Sequence, residues 1–127
     1  MTLHRSTACD AGECPIRDVL DRLGDRWTVL VMKELEGGTL RFSEVRARIP
    51  DISQRMLAQT LRRLEQDGLV SRRVFPTIPP RVDYTLTDLG TSMLVPLGEM
   101  IRWAIDNHGA VRAARAAYVP PAAQPAL

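Results

Sequence analysis

A mainly helical α+β fold, with one β-ribbon set between amphipathic helices, follows from three features of this 127-residue chain. Apolar residues recur at helical spacing up to about residue 67 and again after residue 87. Between those stretches, Val70–Phe75 and Val82–Leu86 are rich in β-branched and aromatic residues, and Pro76 with Pro79-Pro80 separates them. A short helix over Phe42–Ile49, a tight Pro50-Asp51-Ile52 turn and a longer helix after it give helix-turn-helix order. The predicted class is therefore α+β, mainly α. In detail it is a winged helix-turn-helix with a two-stranded wing and extra dimerisation helices at the N- and C-termini.

Each element has a local cause. Pro15 suits the first position of a helix, Ile16, Val19, Leu20 and Leu23 mark one apolar face, and Gly24 stops it. Asp25 caps a second helix whose Trp27, Leu30, Val31 and Leu35 recur at helical spacing as far as Gly37-Gly38. Thr39-Leu40-Arg41 reads as a short extended piece. In the third helix, Phe42, Val45 and Ile49 point inward. Ser53 caps the fourth, which runs to Asp67 and ends at Gly68, with Leu69 packing back. Its buried stripe is Leu57, Leu61 and Leu64. Thr87 caps a last long helix carrying Leu89, Met93, Leu97, Met100, Ile101, Ala104 and Ile105 on one side. Pro96 should bend it and Gly109 should end or interrupt it, leaving an Ala-rich piece and a proline-bearing tail. The expected organisation is a loose arm over 1–13, a winged-helix and dimerisation domain over 14–109, and an extension over 110–127.

Composition narrows the function. A hydrophobic fraction of 45% and a charged fraction of 25% fit a globular protein with a real core. No apolar run reaches membrane-spanning length, and the opening MTLHRSTACDAGE has no apolar signal region, so a cytoplasmic protein with no membrane partner is expected. The whole chain carries a formal charge of +2, yet Ser53–Arg81 holds six arginines against Glu65 and Asp67, an excess of four. Positive charge concentrated on a helix and the ribbon after it is the footprint of a nucleic-acid-binding surface.

On the fourth helix, Arg55, Gln59, Arg62 and Gln66 follow i, i+4, i+7, i+11 spacing, roughly 160° from the leucine stripe at about 100° per residue. A solvated face is the ordinary fate of such a row. Here it lies on the second helix of a helix-turn-helix, and Arg and Gln are the side chains that read guanine and adenine edges in the major groove. Arg81, beside the Pro79-Pro80 tip, reads as a wing residue reaching phosphates or the minor groove rather than an ordinary hairpin charge. Arg72 and Arg73 alternate across a strand, so at most one faces the duplex. The predicted DNA-binding set is Ser53, Gln54, Arg55, Gln59, Arg62, Arg63, Arg72 and Arg81.

Cys14 precedes Pro15 at the N-cap of the first helix, where partial positive charge and Arg17 favour a thiolate while Glu13 and Asp18 oppose it. Inert packing and redox sensing both fit a lone cysteine; Cys9 is a candidate resolving thiol. The Cys-x4-Cys spacing lacks two further ligands for zinc, since His4 and His108 are far apart, so no metal and no cofactor are expected. Trp27 and Trp103 lie on apolar helix faces, where core packing is the default and an effector pocket the minor reading. No base–nucleophile pair supports enzymology.

Taken together, Cys14-Pro15, Gly24-Asp25-Arg26-Trp27-Thr28, Arg41-Phe42-Ser43-Glu44, Ile52-Ser53-Gln54-Arg55-Met56-Leu57, Leu61–Val70, Pro79-Pro80-Arg81-Val82-Asp83-Tyr84 and Leu86-Thr87-Asp88-Leu89-Gly90 resemble the HxlR-type winged-helix regulators, relatives of the MarR group. The resemblance runs from Cys14 to His108. Gly24-Asp25-Arg26-Trp27 departs mildly from the commoner Gly-Gly-Lys-Trp, and Cys9 stands outside the pattern. The likeness implies a homodimer built from the first and last helices, and a cysteine matching Cys14 that senses oxidants or electrophiles in some members. The expected function is a dimeric, sequence-specific transcriptional repressor that binds an inverted-repeat operator in double-stranded DNA. A small-molecule effector acting without the cysteines, or a winged helix that docks proteins, are the alternatives.

Overall fold

The computed structural model describes residues 14–23 and 25–123. The expected loose arm over 1–13 and the Gly24 stop lie outside them. Contacts divide the chain into two units with their boundary between Leu94 and Val95, and the helix-turn-helix and the sheet belong to the first.

Helices α1 (Pro15–Leu23) and α2 (Arg26–Leu35) lead into strand β1 (Leu40–Arg41), then α3 (Phe42–Arg48) and α4 (Gln54–Gln66). Strands β2 (Val70–Phe75) and β3 (Arg81–Leu86) follow, then α5 (Asp88–Ala117) and a 3-10 turn at Pro121–Ala123. The sheet is antiparallel in the order β1-β3-β2: the two strands of the wing are joined by β1, which falls in the Thr39-Leu40-Arg41 piece expected to be extended. Leu40 pairs with Tyr84 and Arg41 with Asp83, while six β2–β3 pairs run from Val70↔Leu86 to Phe75↔Arg81. Two residues are too few to show an alternating pattern, so the pairing of this extended piece with β3 is visible only in the structure.

Cross-strand partners share a face and neighbours along a strand alternate. One face carries Leu40, Val70 and Tyr84, all buried, with Arg72 as the direct cross-strand partner of Tyr84. The other carries Arg41, Arg73, Phe75, Arg81 and Asp83. Met32, Leu35, Val45, Leu57, Leu61 and Leu64 are almost completely buried, and Ile49, Ile52 and Leu69 are buried with them. No buried side-chain polar atom among the described residues lacks a partner.

In α2 the buried stripe is Trp27, Thr28, Val31, Met32 and Leu35, and Leu30 is exposed instead of inward. Trp27, Val31 and Leu35 fix the stripe; Leu30 lies on one flank and Thr28 with Met32 on the other, which spacing alone does not distinguish. Helix α5 runs through Pro96 and past Gly109 to Ala117, so the expected break at Gly109 is absent. One glycine costs a helix about 1 kcal/mol relative to alanine, and the alanines after it are the strongest helix formers. Thr87 Oγ1 accepts from Gly90 N–H at 3.1 Å and donates to the Gly68 carbonyl at 2.6 Å, which ties the start of α5 to the end of α4.

Candidate nucleic-acid interface

Ser53 Oγ accepts the Met56 N–H at 3.1 Å and starts α4. Gly68 takes a φ of +75°, a conformation that suits glycine, and lets Leu69 N–H reach the Leu64 carbonyl at 2.9 Å. Between these ends lie 13 helical residues, about 20 Å of rod, held by Leu57, Thr60, Leu61 and Leu64. The outward row is the one the sequence predicts. Arg55, Gln59, Arg62 and Gln66 are all exposed, as are Ser53 and Gln54 at the N-terminal end. Neither Arg55 nor Arg62 forms an ion pair among the described residues.

Two arginines of the predicted set are employed internally. Arg63 Nη1 donates to Asp25 Oδ2 at 3.3 Å, while Oδ1 of the same carboxylate caps α2 by accepting Trp27 N–H at 2.9 Å. Arg63 follows Arg62 in sequence but sits about 100° round the helix, which turns it from the outward row toward α2. Arg72 shares the buried face of the sheet and places Nε 3.5 Å from Glu65 Oε1 in the last turn of α4.

Arg81 opens β3 and is gripped rather than free. Its Nε donates to Asp83 Oδ1 at 2.8 Å and its Nη2 to Oδ2 at 3.0 Å. The guanidinium also lies 5.1 Å from the Phe75 ring, and that of Arg73 lies 4.8 Å from it. The Arg81 hydrogen bonds hold the Asp83 carboxyl below the usual carboxylate range against its desolvation, with the fields of Arg81, Arg41 and Arg73 adding to the effect. Sequence reasoning missed Arg41, Arg73 and Asp83 as a group, because only the strand register reveals that they share a face. Between the wing loop and the start of α3 opens a cleft of about 540 Å³ lined by residues that include Arg41, Ser43, Ile78 and Arg81.

Cys14 stands at the entry to α1, its carbonyl accepting the Asp18 N–H at 3.0 Å. Its side chain is buried at 5% exposure and disulfide-bonded, so the thiolate expected from sequence belongs to the reduced form. Cys9 lies outside the described residues. Large apolar side chains remain uncovered on both terminal helices: Leu20 is 60% exposed on α1, and Met100 and Trp103 are 55% and 61% exposed on α5. No helix among the described residues is long and apolar enough to cross a membrane.

The HxlR-like helix-turn-helix family matches residues 22–111. The uncharacterized HTH-type transcriptional regulator YtfH of Escherichia coli (strain K12) is 42% identical over 105 residues, 83% of each chain. The solved structure of the transcriptional regulator ytfH from Salmonella typhimurium superposes with a TM-score of 0.74 at 41% identity, covering 83% of this chain and 94% of that one. The quinone-bound form of YodB from B. subtilis gives a TM-score of 0.63 at 38% identity, over 72% of this chain and 96% of that one. YodB is also known in a diamide-treated form.

Proposed function

Because this chain belongs to the HxlR-like helix-turn-helix family of DNA-binding transcriptional regulators, which are not enzymes, we propose that it is a cytoplasmic, homodimeric transcriptional repressor. The exposed row Arg55, Gln59, Arg62 and Gln66 carries the reading. A 13-residue helix held by its inner leucines presents this row as one rigid edge to a major groove about 12 Å wide. Gln54, Arg55 and Gln59 supply base selectivity, and Arg62 and the wing arginines supply phosphate contacts. Arg63 and Arg72 act as braces for the helix and the sheet.

The uncovered apolar faces of α1 and α5 each support the dimer, since exposed apolar surface of this kind marks an interface. Two copies then read an inverted repeat with half-sites one helical turn apart, or a multiple of it. Cys14 carries the signal. A bond made or broken at the entry to α1 changes a helix of the dimer surface, and a small rotation there displaces both reading helices. The quinone-bound and diamide-treated forms of the relative YodB give this chemistry a precedent.

The decisive experiment measures binding to the intergenic DNA upstream of the protein's own gene, reduced and then treated with diamide. Salt-dependent, sequence-specific binding by a dimer in the reduced state is expected, with lower affinity after oxidation and no such response in Cys14→Ser. Release by diamide that persists in Cys14→Ser would remove the thiol mechanism and leave a non-covalent effector. Absence of DNA binding in either state would favour protein docking. Replacing both Met100 and Ile101 by Asp should give monomers, read by sedimentation, that lose the operator.

A further inference from the structure

A carboxylate at the centre of a DNA-facing wing opposes the phosphates, and its removal alone should strengthen binding. Asp83 is nevertheless set there with care. Its side chain is 10% exposed, while that of Arg81, which it holds, is 42% exposed. The two are two residues apart on β3 and share a face, so the contact is short-range and fixed by the strand. Phe75 is the direct cross-strand partner of Arg81, and its ring lies against the guanidinium. Arg73 and Arg41 are the partners of Asp83 on the strands at either side.

A guanidinium has five N–H donors in one plane. Asp83 takes one from Nε and one from Nη2, which leaves both Nη1 hydrogens and the second Nη2 hydrogen for another acceptor. Arg81 also lines the cleft between the wing loop and α3, together with Arg41 and Ser43. An open, basic cleft of about 540 Å³ has room for a phosphodiester of a passing strand.

We infer that Asp83 is a positioning residue: it holds Arg81 against Phe75 so that the free edge of the guanidinium meets a backbone phosphate of duplex DNA at this cleft, which Arg41 also lines. The inference rests on the reading of β2 and β3 as a DNA-contacting wing. The grip removes the rotamer freedom that a long, solvated arginine would otherwise lose on binding, so the carboxylate's repulsion is offset by preorganisation.

The test is a double-mutant cycle on a 30-base-pair duplex selected from random sequence for binding to the wild-type protein, read as affinity and salt slope. Arg81→Ala, which removes the residue from both protomers, should weaken binding roughly 30-fold at about 0.15 M salt and lower the slope by about 1.8, the value of one phosphate per protomer. Asp83→Asn should also weaken binding and lower the slope, although it raises the net charge. In the Arg81→Ala background, Asp83→Asn should weaken binding no further, which a purely structural role would not produce. Arg81→Lys keeps the charge but not the fork, and should lose most of what Arg81→Ala loses.

If Arg81→Ala weakens binding while Asp83→Asn is neutral or tighter, this inference falls and the wing reading stands. If Arg81→Ala changes neither affinity nor slope, both fall together. Should Asp83→Asn disturb the sheet, seen as faster hydrogen exchange of the β3 amides, Arg81→Lys decides alone. Wild-type affinity in that variant overturns the proposal.

Discussion

The arginines of α4 and those of the wing are the same residue type held in two different ways. On α4, Arg55 and Arg62 stand out from a rigid helix with no ion pair among the described residues, so the backbone is ordered and the side chains keep their freedom. On the wing, Arg81 is forked onto Asp83, Arg72 is beside Glu65, and Arg73 and Arg81 both lie against Phe75. A free side chain such as that of Arg55 can sample base edges and settle on the pattern that fits, while that of Arg62 can follow the DNA backbone. Held side chains are suited to phosphates, which recur identically along any sequence. Under the proposed function, the difference separates selectivity, carried by Arg55, from positioning, carried by the wing.

The largest effect that follows is on the free set. Arg55→Ala should cost roughly 1–3 kcal/mol on the preferred site and flatten the preference among single-base variants of that site. Arg81→Ala should instead weaken preferred and unrelated duplexes by the same factor. Competition binding against a panel of variant sites separates the two. Equal loss of selectivity from both substitutions would break the distinction between the regions.

A second way to sharpen the comparison is to disturb the base of the wing without touching an arginine. At Gly90 an added Cβ would lie 2.1 Å from the Leu69 carbonyl oxygen and 3.1 Å from Leu86 Cδ2. The first is backbone at the start of β2 and cannot swing aside. Gly90→Ala should therefore destabilise by about 1–3 kcal/mol, the range for forcing extra volume into a packed site, measured by urea unfolding. At temperatures where the variant stays folded, its base preference should match the wild type, because α4 keeps its own caps and leucines. A changed preference would show that the strands help set the reading helix.

These contrasts also show what the chain spells out and what it hides. The caps at Asp25 and Ser53, the glycine turn at Gly68 and the outward row on α4 are local, so spacing and residue type announce them. The pairing of β1 with β3, the turning of Arg63 toward Asp25, and the gathering of Arg41, Arg73 and Asp83 depend on partners 38 or more residues apart or on strand register. Periodicity carries no such information. The run past Gly109 was hidden for a different reason, since one unfavourable residue is outweighed by the helix formers after it.

The grip on Arg81 has a signature in pH. Hydrogen bonds from Arg81 hold the Asp83 carboxyl below its ordinary value, so the native state favours the charged form. The sign follows. The resulting stability is fully present above the unfolded-state value of about 3.9 and is lost as pH falls through the lower native value. Unfolding of wild type and Asp83→Asn, compared from pH 7 to pH 2, should show its greatest difference at neutral pH and converge in acid. A gap that widens on acidification would contradict the grip.

The smallest effect sharpens the comparison most, because it reverses a sign. Glu65 and Arg72 make a single contact at 3.5 Å with both side chains close to half exposed, unlike the two-bonded Asp83 pair. Such pairs contribute about 0–1 kcal/mol, so Glu65→Gln should leave unfolding nearly unchanged. Its charge still lies in the last turn of α4, on the same helix as the reading row. With no fork to lose, Glu65→Gln removes a repulsion and should tighten DNA binding modestly, whereas Asp83→Asn removes a repulsion and should weaken it. Both substitutions raise the net charge by one and delete an arginine's partner. They differ only in whether the carboxylate held its arginine in a fixed geometry, so parallel salt titrations of the two variants, moving in opposite directions, isolate geometry from charge.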